Sequence, residues 1–253
     1  VHLAEVDSTQ SFLRRRIGQR GELGRPVLVL AQHQTAGRGS WGRSWQDTPG
    51  EALLMSLGAR LSFKPTPLLS LAACAAVGRG LMRAFPELEE RFFFKWPNDL
   101  ILEDRKVGGT LTEIVRRHAI VGVGINLGCL PSLREPPPLP PTSLTLELGR
   151  RVELSAELVV PLVEELLGLV GLGDERAGER IGELVEFFAG REWSQRRELP
   201  VTVEGMRVTA LVKGVDPETG ELILTKGGRE IRVMSYQQVL ERPSPGDEEG
   251  GEG

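Results

Sequence analysis

The sequence predicts an α+β protein, a mixed β-sheet with helices, followed by a small β-rich unit at the C-terminal end. Three observations predict it. Buried-strand runs cluster between residues 26 and 127, with helical stripes before, among and after them instead of a strict strand–helix alternation. Pro131 to Pro141 is the clearest internal punctuation, and two amphipathic helical stretches follow it. From Leu199 to Glu241 the character changes to short β-rich runs separated by Gly205, Asp216-Pro217-Glu218-Thr219-Gly220 and Gly227-Gly228, a spacing of hairpins.

In chain order, Asp7 to Gln19 reads as a helix, capped by Asp7 or Ser8, with Phe12, Leu13 and Ile17 as a short apolar stripe. Pro26 to Ala31 is a buried strand. Residues 34–50 lack periodicity and carry glycine, arginine and tryptophan, so they read as a long functional loop. Ala52 to Leu61 returns as a strand. Pro67 to Phe85 is a helix facing the core through Leu68, Leu71, Ala72, Ala75 and Leu81. Strands follow at 91–95, 99–103, 109–115 and 119–127. Ser155 to Val170 and Asp174 to Ala189 are helices, the first with a candidate kink at Pro161. Pro243 to Gly253 is proline, glycine and acid, a composition expected to be disordered. No internal repeat is present.

Bulk properties exclude several classes. The 253 residues suffice for one large domain, or one plus a small one. A net charge of -4 argues against nucleic acid as the main partner. No hydrophobic run is long enough to span a membrane, and the start shows no signal-peptide pattern. Cys74 and Cys129 lack metal spacing and read as buried thiols in a reducing cytosol. His2, His33 and His118 show no ligand spacing.

The most informative stretch is Lys95-Trp96-Pro97-Asn98-Asp99. The buried run Phe92-Phe93-Phe94 leads into a cation, an aromatic, a proline, an amide and a carboxylate, and Leu100-Ile101-Leu102 follows. Pro97 cannot donate to a sheet ladder and pushes Trp96 away from helix, so the backbone turns between two strands. That places Lys95, Asn98 and Asp99 at a sheet rim, where sites are commonly built. Upstream, Gly37-Arg38-Gly39-Ser40-Trp41-Gly42-Arg43 follows a strand. Glycines alternating with arginines let backbone N–H groups and guanidinium forks reach one anion together.

Taken together, Ser8-Thr9, Gly37-Arg38-Gly39, Lys95 to Asp99, Lys106-Val107-Gly108-Gly109 and Gly122-Val123-Gly124-Ile125-Asn126 resemble, in order and spacing, the biotin protein ligases. The resemblance covers almost the whole chain except the extreme C-terminus. It implies a catalytic domain of the class II synthetase-like, biotin–lipoate ligase type over residues 1–190. A linker at 191–198, an SH3-like barrel at 199–242 and an acidic tail at 243–253 follow. No helix-turn-helix precedes the catalytic pattern, so the monofunctional type, without an N-terminal DNA-binding domain, is expected.

The implied reaction has two steps. Biotin and MgATP give biotinyl-5′-adenylate and pyrophosphate, and the adenylate then acylates a lysine of a biotin carboxyl carrier protein. The first step sets a carboxylate against a triphosphate, so it needs cations and a metal. By resemblance, Lys106 lies between the biotin carboxylate and the α-phosphate, and Arg38 holds the carboxylate or the adenylate phosphate; these two are the catalytic candidates. Ser8, Thr9, Gln10, Gln34, Gly39, Ser40 and Gly108 join Arg38 and Lys106 around biotin. Arg43, Trp45, Lys95, Asn98 and Asn126 join them around ATP, and Asp99 is the candidate magnesium ligand, since hard cations take carboxylate oxygen.

Bland alternatives stand beside these assignments. Taken alone, Lys106 reads as a solvated lysine in the turn Glu103-Asp104-Arg105-Lys106, and the Val107-Gly108-Gly109 context with the Lys95 motif reverses that; Lys95 also reads as the partner of Asp99 in a structural salt bridge, and Ser8 as a helix cap. Glu113 is a partner of the site or a plain strand-face charge. Trp41 and Trp45 either cover the ligand or pack the loop base, and Trp96 is structural. Gln10 and Ser40 depart from the family pattern, which carries asparagine and a second arginine there. A lipoate–protein ligase and a non-catalytic biotin-responsive repressor or binding module are the competing functions. The resemblance implies a cytoplasmic enzyme with no nucleic-acid or membrane partner, and a homodimer paired through a sheet edge is one state it allows.

Overall fold

The computed structural model describes residues 1–130, 139–171, 174–203 and 206–234. Residues 131–138 of the expected proline-rich loop Pro131 to Pro141, the expected tail at 243–253 and the end of the β-rich unit at 235–242 lie outside these. The chain divides into two compact units, Val1–Trp193 and Ser194–Gly253.

The first unit is built on a seven-stranded mixed sheet in the order β1-β2-β3-β7-β6-β5-β4. Its strands are β1 (His2–Val6), β2 (Val27–Gln34), β3 (Ala52–Arg60), β4 (Phe92–Lys95), β5 (Asp99–Leu102), β6 (Arg105–Val115) and β7 (His118–Asn126). Every pairing is antiparallel except β1 with β2, which is parallel. Sequence reasoning missed β1 and ended β2 three residues early. Gln32 to Gln34 extend β2 because they pair with β1 at Glu5 and Val6.

β3 is buried along eight consecutive residues, which requires cover on both faces. α1 (Thr9–Arg20) lies against one: a Cβ at Gly58 would come within 3.0 Å of Leu23 and 3.2 Å of Leu13. α2 (Leu69–Ala84) carries twelve buried residues and packs on β4 to β6. A Cβ at Gly78 would sit 2.5 Å from the Phe94 ring, so only glycine lets the helix come this close. Phe94 in turn stacks on Phe188 with centroids 4.9 Å apart. Leu144–Leu148 forms a short helix, α3, that periodicity over five residues could not reveal. α4 (Ala156–Val170) and α5 (Asp174–Gly190) pack on α2. α4 continues through Pro161, and Gly80 of α2 meets its backbone there, a Cβ at Gly80 falling 2.7 Å from Leu162 Cα.

The second unit is an antiparallel meander of β8 (Glu198–Val203), β9 (Met206–Val215), β10 (Leu222–Lys226) and β11 (Arg229–Val233). Val201, Ala210, Val212, Leu222, Leu224 and Val233 are buried in it. β8 and β11 are the two edges of an open sheet among the described residues. Among those residues no helix is long and apolar enough to cross a membrane.

Candidate active site

Strand register decides which side chains meet. Gly122 and Gly124 on β7 lie opposite Ser56 and Leu54 on β3, and opposite Leu111 and Gly109 on β6. Glu113 lies two residues beyond Leu111, and Asp99 opposes Gly109 across β5 while Lys95 opposes Asp99 across β4. Side chains alternate along a strand, so Lys95, Asp99, Glu113 and Ser56 share one face with Gly109, Gly122 and Gly124. Three glycines leave that face bare at its centre, a floor for a ligand, while charged groups stand around it.

Strict alternation from Gly109 would turn Lys106 to the opposite face. The β5–β6 register shifts between Leu100 and Ile101, so that Gly108 opposes Leu100 while Lys106 opposes Ile101. This bulge leaves Val107 as the extra residue, buried in the core, and returns Lys106 to the face of Asp99. Lys106 Nζ donates to Asp99 Oδ1 at 2.6 Å. The bland alternative of a solvated turn lysine is thereby excluded, and the expected strand start at residue 109 is corrected: β6 starts at Arg105, and the Lys106 backbone is pinned in a ladder. Its N–H donates to Pro140 O at 2.9 Å and its carbonyl accepts from Thr142 N at 2.9 Å.

The alternative of a Lys95–Asp99 salt bridge is also corrected. Asp99 pairs with Lys106, and Lys95 makes no ion pair within 4.0 Å among the described residues. Burial pulls the Lys95 pKa down; Asp99 opposes this, and Lys106 adds to it. A half-buried ammonium with depressed basicity is a group that gains from an incoming anion.

Asn98 is buried, donates to Thr110 O at 2.6 Å and reaches Ser40 Oγ at 3.5 Å. Asn126 is buried and donates to Thr142 O at 2.9 Å. Thr142 Oγ1 donates to Glu147 at 2.6 Å, and the Glu147 carboxylate, fully buried, also binds Arg91 and, at 2.8 Å, Arg105. This brace on the strap beside Lys106 was missed by sequence reasoning, because it depends on α3.

On the α1 side, Ser8 caps the helix, accepting from Ser11 N at 3.4 Å. Gln34 Oε1 accepts from Thr9 N at 2.8 Å and Thr9 Oγ1 at 3.1 Å. Thr9 Oγ1 lies 2.8 Å from Ser56 Oγ, which donates to Gln10 Oε1 at 3.2 Å. Gln10 Nε2 stands 3.2 Å from Leu111 O, Ile120 O and Glu113 Oε2. The amide of Gln10 is thus saturated by protein partners above Gly122. Ser56 was missed, though a lone serine in the run Leu53-Leu54-Met55-Ser56-Leu57 was the available signal.

The glycine-rich loop folds onto this floor. Trp45 N donates to Gly37 O at 2.9 Å and Gly39 N to Arg43 O at 2.8 Å, around a helical turn at Ser40–Gly42. A Cβ at Gly37 would fall 2.4 Å from Trp45 O, so glycine is required there. Arg38 grips Glu113 through both terminal nitrogens, at 2.8 and 3.2 Å. Arg43 is exposed, its Nε 3.4 Å from Ser40 O. The Trp45 ring covers Gly124, a Cβ there meeting it at 2.7 Å, and its Nε1 is buried without a hydrogen-bond partner. Gly108 packs its backbone against Gly124 O, 2.5 Å from where a Cβ would lie. A cleft of about 480 Å³ opens beside the loop, lined by His33 to Gly37 and Ser44 to Pro49. In it His33 Nδ1 meets Asp47 Oδ2 at 2.8 Å.

A magnesium ion has one carboxylate to use between the two lysines, Asp99; no group of three His, Cys, Asp or Glu residues that could hold a metal occurs among the described residues. One or two carboxylates plus substrate phosphates is the usual donor set of that ion, so the residues fit it in that form. Cys74 is buried under the sheet, and burial raises its thiol pKa. Cys129 is exposed, which corrects the reading of both thiols as buried.

Comparison with known proteins shows the family and the fold. A family model described as Biotin/lipoate A/B protein ligase family matches residues 3–129. A Biotin--[acetyl-CoA-carboxylase] ligase of Mycobacterium tuberculosis is 29% identical over 242 residues, covering 94% of this chain and 87% of that protein. The Bifunctional ligase/repressor BirA of Escherichia coli is 34% identical over 131 residues, a match that spans 49% of this chain and 39% of that protein. A solved biotin protein ligase from Aquifex aeolicus, in complex with biotin and ATP, shares the fold at a TM-score of 0.71, with 24% identity and 96% and 98% of the two chains covered.

Proposed function

We propose that this chain, which belongs to the Biotin/lipoate A/B protein ligase family, is an ATP-dependent biotin–protein ligase. It joins biotin to ATP, releasing pyrophosphate, and passes biotin from the adenylate to a lysine of a biotin carboxyl carrier protein. The observation that carries the reading is the glycine floor with Lys95, Lys106 and Arg38 arranged around it.

In the first step a biotin carboxylate oxygen attacks the α-phosphorus, and the bond to the β-phosphate breaks with its electron pair leaving on pyrophosphate. Lys106 stabilises the charge that gathers on the α-phosphate oxygens, and its pair with Asp99 fixes the ammonium in place. Lys95 meets the outer phosphates, whose charge repays the desolvation of its ammonium. Arg38 and Arg43 hold the anion from the loop. Magnesium, when bound, neutralises phosphate charge, with Asp99 as its protein ligand. Thr9 and Gln34 offer the ureido ring fixed polar groups, and Ser8, Gly39, Ser40 and Gly108 line the pocket. Gln10 supports that wall through Ser56 and Glu113. The Trp45 indole N–H, orphaned among the described residues, supplies a donor to the adenylate. Asn98 and Asn126 brace the nucleotide side. In the second step the lysine amine attacks the acyl carbon, AMP leaves, and the amine loses a proton; the loop shields the adenylate from water.

Residues 1–190 form the catalytic domain in this reading, and the β-rich meander is the SH3-like unit. The enzyme works in the cytoplasm on a carrier protein, without nucleic acid or membrane. The test is isotopic exchange between pyrophosphate and ATP, with biotin or lipoate added. Exchange dependent on biotin, and biotin transfer to the carrier, is the expected result; exchange with lipoate alone, or none, overturns it.

A further inference from the structure

We propose that Glu113 is a positioning residue that parks the loop arginine, Arg38, and sets the strength with which the site takes an anionic ligand. This rests on the ligase reading above and names a control on it. Both terminal nitrogens of Arg38 lie on the two oxygens of Glu113, at 2.8 and 3.2 Å. The same carboxylate receives Gln10 Nε2 at 3.2 Å and has Arg14 at 3.9 Å. Glu113 stands on the glycine-floor face, two positions along β6 from Leu111, which opposes Gly122.

The consequence is electrostatic. An anion entering the site meets an arginine already neutralised by a carboxylate, not a free cation. The end-on fork of the guanidinium is occupied, so a two-point grip on a phosphate through that fork requires Arg38 to leave Glu113. Anion binding is therefore in competition with an internal anion, and the apparent affinity is reduced by the fraction of molecules in which the arginine is released. Gln10 links this carboxylate to Ser56, Thr9 and Gln34, so the parking place is fixed to the wall assigned to the ureido ring. The cost of releasing Arg38 falls on a ligand that presents a phosphate as well as the ureido ring, and not on one that presents the ring alone.

The test is calorimetric titration of the full chain with two ligands: a non-hydrolysable biotinyl-adenylate analogue, and biotinamide, which keeps the ureido ring and carries no anion. Glu113→Gln is expected to tighten the analogue by up to about 5-fold, the range an ion pair of this exposure commands. Biotinamide affinity is expected to change less than that of the analogue, since Glu113 meets the ring wall only through Gln10. In an Arg38→Ala background the gain is expected to vanish. Glu113→Ala, which removes the acceptor, is the second variant and carries the same expectation. Unchanged or weaker binding of the analogue, an equal change for biotinamide, or a gain that persists without Arg38 overturns the proposal. If the wild-type chain binds neither ligand, the ligase reading itself falls and the proposal falls with it.

Discussion

At the scale of single residues, Lys106 shows how a one-residue register shift decides which side chains meet. Its identity and its distance from Lys95 were legible in the sequence, but its direction was not. The bulge at Val107 is a property of the β5–β6 pairing, and a period-of-two reading places Lys106 on the wrong face. The geometry leads to a direct expectation. Lys106→Ala leaves the fold intact, because the side chain is partly exposed and its backbone bonds remain, while adenylate formation falls by about 10²-fold or more. Near-wild-type pyrophosphate exchange in the mutant would remove Lys106 from the mechanism. Thr9, Gln10 and Gln34 were legible as polar residues in a pattern; their linkage to one another and to Ser56 was not, because it spans α1, β2 and β3. The same holds for Arg38 and Glu113, 75 positions apart in sequence.

At the scale of elements, the long strands and helices were legible because each carries a full period of buried residues: β3, β7 and α2 match the expected spans to within two residues at either end. β1 and α3 were not, since five residues cannot establish a period and their cover comes from distant chain. The glycine-rich loop lies between these cases. Lack of periodicity marked it as a loop, and the structure holds it through a few bonds: Gly39 to Arg43 and Trp45 to Gly37 in the backbone, and the side-chain contacts of Arg38 with Glu113, Asn98 with Ser40, and His33 with the fully buried Asp47 side chain. So few anchors predict that the amides of Gly39, Arg43 and Trp45 exchange quickly in free protein and gain protection when biotin or its adenylate binds. Equal protection with and without biotin would count against loop closure. His33→Ala leaves the Asp47 carboxylate short of a partner, at a cost of about 1–3 kcal/mol. The loop amides in the free protein should then exchange about 5- to 150-fold faster. Unaltered exchange would show that the pair does not hold the loop.

At the scale of the whole molecule, two titrating groups to which no ligand contact is assigned make stability depend on pH in separate windows. His118 is buried and its Nε2 accepts the Leu23 amide at 3.0 Å, so protonation there would set one N–H against another. Burial holds its pKa below 6.5; Arg60 and Arg116 add to this, while Val115 and Glu22 oppose it. The unfolded chain therefore takes up this proton first as pH falls, and stability drops from about pH 6.5 down to the folded pKa, below which the loss is complete. Asp7 acts lower on the scale. Its hydrogen bonds to Arg15 hold it at about 2 against 3.8 in the free side chain. That contribution is fully present above pH 3.8 and is lost as pH falls towards 2. The Asp7 pair is largely exposed, which makes the second loss the smaller. Thermal unfolding of the wild type between pH 8 and 2.5 should thus show two declines in Tm, with about 2–4 °C lost per kcal/mol for a chain of this size. His118→Gln should flatten the upper decline and leave the lower one, and Asp7→Asn should do the reverse. A wild-type profile flat between pH 7 and 5, or an upper decline that survives His118→Gln, would assign the acid sensitivity to other groups.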